Sequence, residues 1–285
     1  MFRLLVIPIS MLLAGIGWWK QASRDSIYKH VVVCHPLQDD MTAFAGDPGF
    51  QSLHPSPLPI SVNNLGTAIT YPTADGTTAG AYLIKAKKPG SKWLFVFQEW
   101  WGLNDHIRQE ADRYYRDLGE SVNVLAIDMY DGKVTTDPKI AGQYMQGTNP
   151  ERLETIVKGA YSYAGPQAKV ANLGWCFGGS WSLRSAIIGG KQNIGSVIFY
   201  GMPVKDVEQL KKLQSDVLGL FANEQYISKE IIEQFAVDMK AAGKKLDYKI
   251  FDAVHGFANP SNPRYDAEKT RQAYEMALGY LKKRL

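Results

Sequence analysis

Short apolar runs alternate with helix-like segments from residue 66 to the last residue, and few folds accommodate this alternation. Runs such as 93–99 (WLFVFQE) and 217–222 (VLGLFA) are nearly continuous in apolar residues, as strands covered on both faces are. The segments between the runs carry apolar residues three and four positions apart, which is the period of an amphipathic helix. A chain of 285 residues is long enough to bury one large core. The sequence therefore predicts one α/β domain, with a mostly parallel central sheet flanked by helices on both faces.

The individual elements follow from the same two periods. Strands are predicted at residues 67–72, 80–86, 93–99, 123–130, 169–175, 194–201, 217–222 and 246–252. Helices are predicted at residues 105–119, 150–164, 180–190, 228–243 and 266–285. Asp105 and Ser228 are the predicted N-caps of two of these helices, and Gly119 and Gly243 are the predicted C-caps.

The first residues of the chain read as a targeting segment. An apolar run from Leu4 to Trp19 is flanked by Arg3 and Lys20, and it is shorter than the roughly 20 residues that span a bilayer comfortably. This pattern predicts a secretory signal over residues 1–22, or an uncleaved membrane anchor. Residues 23–65 are expected to form an N-terminal extension, and residues 66–285 the domain. The domain is then exported, periplasmic or extracellular, with possible membrane association through the N-terminus.

Composition argues against several partners. The 32 basic and 28 acidic residues are spread along the chain without a block of like charge, so no nucleic-acid partner is expected. Two cysteines, Cys34 and Cys176, are too few for a disulfide framework, and both are expected to be free thiols. The chain has no His-x-x-x-His or Cys-x-x-Cys spacing and no glycine-rich phosphate loop, so neither a metal nor a nucleotide cofactor is expected. A monomer or a weak homo-oligomer is expected.

Cys176 lies in the motif Gly-x-Cys-x-Gly, between a predicted strand and a predicted helix. This is the pattern of a nucleophile elbow, a tight turn in which the nucleophile adopts strained backbone angles at the carboxyl edge of the sheet. Side chains at Gly174 and Gly178 would collide with neighbouring backbone in such a turn. A helix N-terminus beside the sulfur also favours the thiolate. The alternative interpretation is that Cys176 is a small buried apolar residue, as most free cysteines are.

A cysteine with a pKa near 8.5 is mostly protonated at neutral pH, so a nucleophilic role requires a base. His255 follows the predicted strand 246–252 and is the only histidine after Cys176. Glu224 follows the strand 217–222, reaches the same edge of the sheet, and is the candidate for the carboxylate that orients His255. The other histidines are set aside because three lie in the N-terminal extension and one opens a predicted surface helix: His30, His35, His54 and His106.

The turn after residue 98 supplies further candidates. Glu99 ends a buried strand, where a carboxylate without a role is costly to desolvate. The backbone N–H groups of Trp100 and Phe177 are placed to form an oxyanion hole, as the two donors of hydrolases do. Aromatic side chains in the same loops, among them Trp101, Tyr226 and Phe257, are candidates for the walls of an apolar substrate pocket.

Four motifs, QEWWGLN, GWCFGG, ANEQYI and HGFANP, occur in this order. With them, residues 66–285 resemble the dienelactone hydrolase family, whose members have the α/β-hydrolase fold. The resemblance implies that lactones are opened, or esters cleaved, through a thioester acyl-enzyme, by a Cys-His-Asp triad that needs no metal. It also implies that Cys176 is the nucleophile, that His255 is the base, and that Glu99 holds or deprotonates the resting thiol until substrate displaces it.

Two positions depart from the family pattern. Glu224 stands where the family has aspartate, one methylene shorter. Asn259 stands where well-studied lactonases of the family have an arginine that binds the carboxylate of the substrate, so a dianionic substrate is not expected to be preferred. Asn259 is nevertheless retained as a substrate-binding candidate.

Two other functions remain open on the sequence alone. The protein could be an exported binding protein that retains a hydrolase scaffold without its chemistry, in which case Cys176 is an ordinary buried thiol. A weaker alternative is peroxide or redox chemistry at Cys176, which lacks a resolving cysteine because Cys34 lies in the N-terminal extension.

Overall fold

The structure is a computed structural model, and it describes residues 41–60 and 63–285. The predicted signal or anchor over residues 1–22 and the first part of the predicted extension, residues 23–40, lie outside the described residues. Among the helices of the described part, none combines the length and the apolar character needed to cross a bilayer.

Eight strands form one sheet, as the apolar runs predict. The strands are β1 (Thr67–Pro72), β2 (Thr78–Ile84), β3 (Lys92–Phe97), β4 (Asn123–Ile127), β5 (Lys169–Trp175), β6 (Asn193–Phe199), β7 (Val217–Ala222) and β8 (Leu246–Phe251). Their spatial order is β1-β2-β4-β3-β5-β6-β7-β8. Strand β2 pairs antiparallel with both β1 and β4, and all the other pairs are parallel. The loops that follow β3, β5, β6, β7 and β8 therefore open at one edge of the sheet.

Helices separate the strands along the chain. They are α1 (Pro48–Ser52), α2 (Asp105–Asp117), α3 (Pro138–Gln146), α4 (Pro150–Ala164), α5 (Phe177–Gly189), α6 (Val207–Leu210), α7 (Lys229–Ala241) and α8 (Ala267–Lys282). Every side chain of β7, and all but the first of β5, is buried, so both faces of the sheet are covered at its centre. The predicted α/β architecture is confirmed.

The helix boundaries correct two details of the prediction. The N-cap of α2 is Asn104 rather than Asp105, because the Asn104 side chain accepts a hydrogen bond from the N–H of Ile107, while Asp105 is the first helical residue. Helix α5 begins at Phe177, directly after Cys176, and not at residue 180. The N-cap role of Ser228 is confirmed, since its hydroxyl accepts from the N–H of Ile231.

Residues 41–60, here called the cover segment, pack against the domain. A short 3-10 helix (Met41–Phe44) precedes α1, and the side chains of Met41 and Phe50 are fully buried. Farther along, the N–H of Leu58 donates a hydrogen bond of 2.7 Å to the carbonyl of Ser261. The cover segment thus contributes to the core.

Candidate active site

Cys176 occupies the turn between β5 and α5 with a backbone φ of +54°. This left-handed region is strained for a residue with a side chain, and such strain is typical of a nucleophile elbow. The neighbouring glycines allow the turn to close. A Cβ at Gly174 would lie 2.1 Å from the carbonyl oxygen of Gly178, and a Cβ at Gly178 would lie 2.3 Å from that of Gln98. The expected crowding at these two glycines is therefore present.

Two loops bring a carboxylate and an imidazole to the same edge. Glu224 follows β7 and His255 follows β8, and Oε1 of Glu224 lies 2.5 Å from Nδ1 of His255. Because a carboxylate accepts, Nδ1 carries the proton and Nε2 is directed away from Glu224. Nε2 of His255 is buried and has no hydrogen-bond partner among the described residues. It is thus available to accept a proton.

Cys176 and His255 each change the pKa of the other. Burial raises the pKa of the Cys176 thiol, and the nearby His255 opposes that rise. Burial alone would lower the pKa of His255, but the Glu224 carboxylate and the Cys176 sulfur raise it well above its usual value. The imidazole of His255 is therefore a stronger base than an ordinary histidine, and its partner is the carboxylate predicted from the loop after β7.

Glu99, two residues after β3, is buried (4% exposed), and two donors hold its carboxylate. Nδ2 of Asn259 donates to its Oε2 at 2.5 Å, and the hydroxyl of Tyr200 donates to its Oε1 at 3.2 Å. Burial raises the pKa of Glu99 to about 7, against the opposing effect of the hydrogen bond from Asn259. No hydrogen bond between Glu99 and the Cys176 sulfur is found among the described residues. Tyr200 was missed because it directly follows an ordinary apolar strand, β6, and belongs to no distinctive motif.

The sulfur of Cys176 contacts a histidine that the sequence did not indicate. Nε2 of His54, in the cover segment, lies 3.6 Å from Sγ of Cys176. The His54 ring lies 4.8 Å from the His255 ring and 4.1 Å from the Trp100 ring, measured between centroids. Only the three-dimensional structure brings His54 to the site, because 122 positions separate it from Cys176.

The candidate oxyanion donors are the N–H of Phe177, directly after Cys176, and the N–H of Trp100, in the turn after β3. Phe177 is the first residue of α5, so no carbonyl within the helix accepts from its N–H. Trp100 follows Glu99 in the turn after β3, and its side chain is fully buried. The absence of a side chain at Gly178 allows the start of α5 to pack closely against the carbonyl of Gln98, just before this turn.

The candidate substrate-binding residues differ in how deeply they are buried and in which residues they contact. Tyr226 is half-buried, and its hydroxyl donates to Oδ1 of Asp47 in the cover segment at 2.9 Å. Trp101 is buried against Trp100, and Phe257 is fully buried against Tyr200 and Phe251. The amide oxygen of Asn259 accepts from the backbone and hydroxyl of Ser261, so both ends of this side chain are engaged within the protein.

The reacting groups are covered. Cys176 and His255 are each 1% exposed, because His54 and Phe50 of the cover segment lie over them. The side-chain N and S atoms of Cys176, His54 and His255 lie within 4.8 Å of one another. As arranged here, the site offers a thiol close to a carboxylate-oriented imidazole.

Three solved structures share this fold. The dienelactone hydrolase-like promiscuous phosphotriesterase from metagenomic libraries is 24% identical, covers 78% of this chain and 99% of its own, and superposes with a TM-score of 0.63. The dienelactone hydrolase from Anabaena variabilis is 15% identical, covers 77% and 98%, and has a TM-score of 0.57. A carboxyl esterase from Tuber melanosporum is 14% identical, covers 86% and 97%, and has a TM-score of 0.60. The predicted α/β-hydrolase fold is confirmed.

Sequence comparison leads to a family. A curated relative from Aquifex aeolicus (strain VF5), named "Putative carboxymethylenebutenolidase", is 24% identical over 222 residues, which are 73% of this chain and 94% of the relative. The family model described as "Dienelactone hydrolase family" matches residues 79–285. That match includes the motifs at Glu99, Cys176, Glu224 and His255. The chain belongs to the dienelactone hydrolase family, and is accordingly an enzyme of the ester and lactone hydrolase class.

Proposed function

We propose that this hydrolase uses Cys176 as a covalent nucleophile and cleaves small-molecule esters or lactones through a thioester. The relation of Glu224, His255 and Cys176 carries the proposal. The carboxylate of Glu224 orients His255 at 2.5 Å, and the other nitrogen of His255 is buried near the elbow sulfur with no hydrogen-bond partner in the described part of the chain. An oriented imidazole next to a strained nucleophile is the arrangement that covalent catalysis requires.

The acylation step follows from this arrangement. The Cys176 thiolate attacks the carbonyl carbon, while the proton that left the sulfur resides on Nε2 of His255. The N–H groups of Phe177 and Trp100 stabilise the negative oxygen that develops, a contribution of about 10²- to 10³-fold per donor in comparable sites. Collapse of the intermediate breaks the ester C–O bond, and His255 gives its proton to the departing alkoxide. The acyl group remains on the sulfur as a thioester.

Deacylation restores the enzyme. His255 takes a proton from water, and the resulting hydroxide adds to the thioester carbonyl. The C–S bond then breaks, the carboxylic acid leaves, and the sulfur regains a proton from His255. For a lactone, the alcohol and the acid are parts of one product, so ring opening consumes one water molecule.

The substrate is expected to have an uncharged or weakly charged acyl portion. At the position after the histidine where lactonases of the family carry an arginine, this chain has Asn259, and the amide is engaged by Glu99 and Ser261. The surroundings of the sulfur are aromatic, with Trp100 and Phe50 fully buried there. An apolar ester or lactone fits such walls better than a dianion does.

The experiment measures hydrolysis of a panel of activated esters and lactones together with intact-protein mass. Wild-type protein with a slowly turned-over ester is expected to gain the mass of one acyl group, and Cys176→Ala is expected to lose both this adduct and turnover. Cys34→Ala is the matched control and is expected to retain both. Full activity in Cys176→Ala would contradict the nucleophilic role of the sulfur.

Export is part of the proposed function. Its support is the apolar run from Leu4 to Trp19, which suits a secretory signal or an anchor. N-terminal sequencing of the protein recovered from membrane and soluble fractions is expected to show either a new N-terminus near residue 22 or membrane retention of the full chain. Recovery of the uncleaved chain in the cytoplasmic fraction would contradict it.

A further inference from the structure

The cover segment places an imidazole directly on the candidate nucleophile. Nε2 of His54 lies 3.6 Å from Sγ of Cys176, and the two residues are 4% and 1% exposed. No role follows for His54 from the proposed hydrolysis, which uses His255 as its base. The contact between this buried imidazole and the sulfur therefore indicates a function for His54 that is separate from that of His255.

The direction of the hydrogen bond is set by the other nitrogen of the ring. Nδ1 of His54 lies 2.9 Å from the carbonyl oxygen of Phe50. A carbonyl only accepts, so Nδ1 carries the proton, and Nε2 of the neutral ring carries none. Burial and the nearby His255 hold the pKa of His54 well below its usual value, which keeps the ring neutral. The Cys176 thiol is consequently the donor and His54 the acceptor.

The two imidazoles at the sulfur differ in strength as bases. His255 is paired with the Glu224 carboxylate, whereas His54 is paired with an uncharged carbonyl. A carboxylate stabilises an imidazolium, and a backbone carbonyl does so much less. His54 is therefore suited to hold the proton of the thiol in a hydrogen bond without removing it, and His255 is suited to remove it.

The space in front of the sulfur is occupied by the same segment. Phe50 is fully buried, with its ring centroid 5.8 Å from Trp100, 5.1 Å from Tyr226 and 5.7 Å from His255. A carbonyl carbon must approach the sulfur through the volume that Phe50 and His54 now fill. Admission of substrate thus requires the displacement that also removes His54 from the thiol.

We propose that His54 is a positioning residue that holds the Cys176 thiol protonated in the closed enzyme and leaves it when substrate displaces the cover segment. The role of His54 rests on the proposed role of Cys176 as the nucleophile. On displacement, the S–H bond of Cys176 breaks and an N–H bond forms at Nε2 of His255, giving a thiolate and an imidazolium with no other reactant. In this chain His54 takes the thiol-holding role that the family resemblance assigns to Glu99.

The test compares two variants of similar size. His54→Gln retains an acceptor that reaches the position of Nε2, and His54→Leu fills the space without one. Alkylation of Cys176 by iodoacetamide is measured in a Cys34→Ala background, where Cys176 is the only thiol in the chain. His54→Leu is expected to react about tenfold faster than the parent, the effect of one lost hydrogen bond to the neutral thiol, and His54→Gln within about twofold. A His54→Leu rate no faster than that of the parent, or equal rates for the two variants, would overturn the proposal.

A third variant tests the displacement without altering His54. Asp47 caps α1 and accepts the hydrogen bond from Tyr226, and it lies at the surface, so Asp47→Ala loosens the cover segment while leaving the core intact. Alkylation is expected to become about three- to tenfold faster, as the loss of a cap permits. An unchanged rate would contradict the link between opening and thiol release. Alkylation does not depend on ester cleavage, so the two proposals can fail separately. Hydrolysis that persists in Cys176→Ala would refute the proposed function, and the alkylation rates would still show whether His54 holds the thiol.

Discussion

Glu224 and His255, 31 positions apart in sequence, meet through a contact of 2.5 Å between Oε1 and Nδ1. The contact depends on the parallel pairing of β7 with β8, which brings the loops after both strands to one edge of the sheet. Glutamate has one methylene more than the aspartate of the family pattern. In this chain its longer side chain spans the distance to the imidazole.

Glu224→Gln is expected to lower kcat by about 10³- to 10⁴-fold, because an amide no longer stabilises the imidazolium and can present a donor to Nδ1. Glu224→Asp is expected to lower kcat by about tenfold, since the shorter side chain stretches the contact. Steady-state hydrolysis of an activated ester gives both values. Glu233→Gln, an exposed change on α7, is the control, and wild-type kcat in Glu224→Gln would refute the assignment.

The pH dependence of hydrolysis is expected to carry the signature of Glu99, whose pKa is raised to about 7 by burial. The charged Glu99 carboxylate interacts favourably with the imidazolium that His255 forms when it takes the thiol proton, so kcat/KM is expected to rise through about pH 7. Glu99→Gln is expected to remove this rise. Asn259→Leu is expected to shift it upward by about one to two pH units, because the lost hydrogen bond favoured the carboxylate. A downward shift in Asn259→Leu would be inconsistent with the observed contact.

Gly178 offers a test of the elbow by stability. A Cβ there would lie 2.3 Å from the carbonyl oxygen of Gln98 and 2.4 Å from that of Phe97, both rigid backbone atoms. Gly178→Ala is expected to lower the free energy of unfolding by about 2 kcal/mol or more. Gly279→Ala, in α8 with open space around its Cα, is expected to raise it by about 0.5–1 kcal/mol. Denaturant titration gives the free energy of unfolding of each variant. Equal values for the two would show that the backbone around Gly178 can move to accommodate a Cβ.

Stability is also expected to depend on pH through Glu110 in α2. Burial raises its pKa from 4.5 to about 7, against the opposing charge of Arg113. Folding therefore favours the protonated form of Glu110. Its contribution to the free energy of unfolding is fully present below about pH 4.5 and is lost as the pH rises through about 7. As the pH rises from 4.5 to 8, the free energy of unfolding of Glu110→Gln is expected to increase by about 3 kcal/mol relative to that of wild type. Urea titrations at the two pH values measure the difference, and a pH-independent difference would exclude Glu110 as its source.

The sequence predicted the sheet well because each central strand is a self-contained apolar run. Strands β5 and β7 occur at the predicted residues, and helix α4 occurs at residues 150–164 as its period indicates. Helix α3 was missed because it has only nine residues, with Gly142 inside it and Gly147 directly after it, and so carries too little periodic signal. The helices of the cover segment are shorter still, at four and five residues, and are stabilised by distant aromatic side chains.

The site was predictable to the extent that topology determines it. Cys176, Glu224 and His255 each follow a recognisable strand, and parallel strands end at one edge. The contact between His54 and Cys176 has no comparable rule, because it depends on how residues 41–60 fold back across the loops. The partners of Glu99 were likewise hidden, since Asn259 lies 160 positions away.

The complete burial of the Cys176 sulfur bears on the lifetime of the enzyme. Peroxide and other oxidants attack thiolates that solvent can reach, and the higher oxidation states of sulfur are not reversed by simple reduction. A sulfur enclosed by Phe50 and His54 meets such reagents only while the cover segment is displaced. While the cover segment stays in place, the Cys176 sulfur is therefore protected from such oxidation.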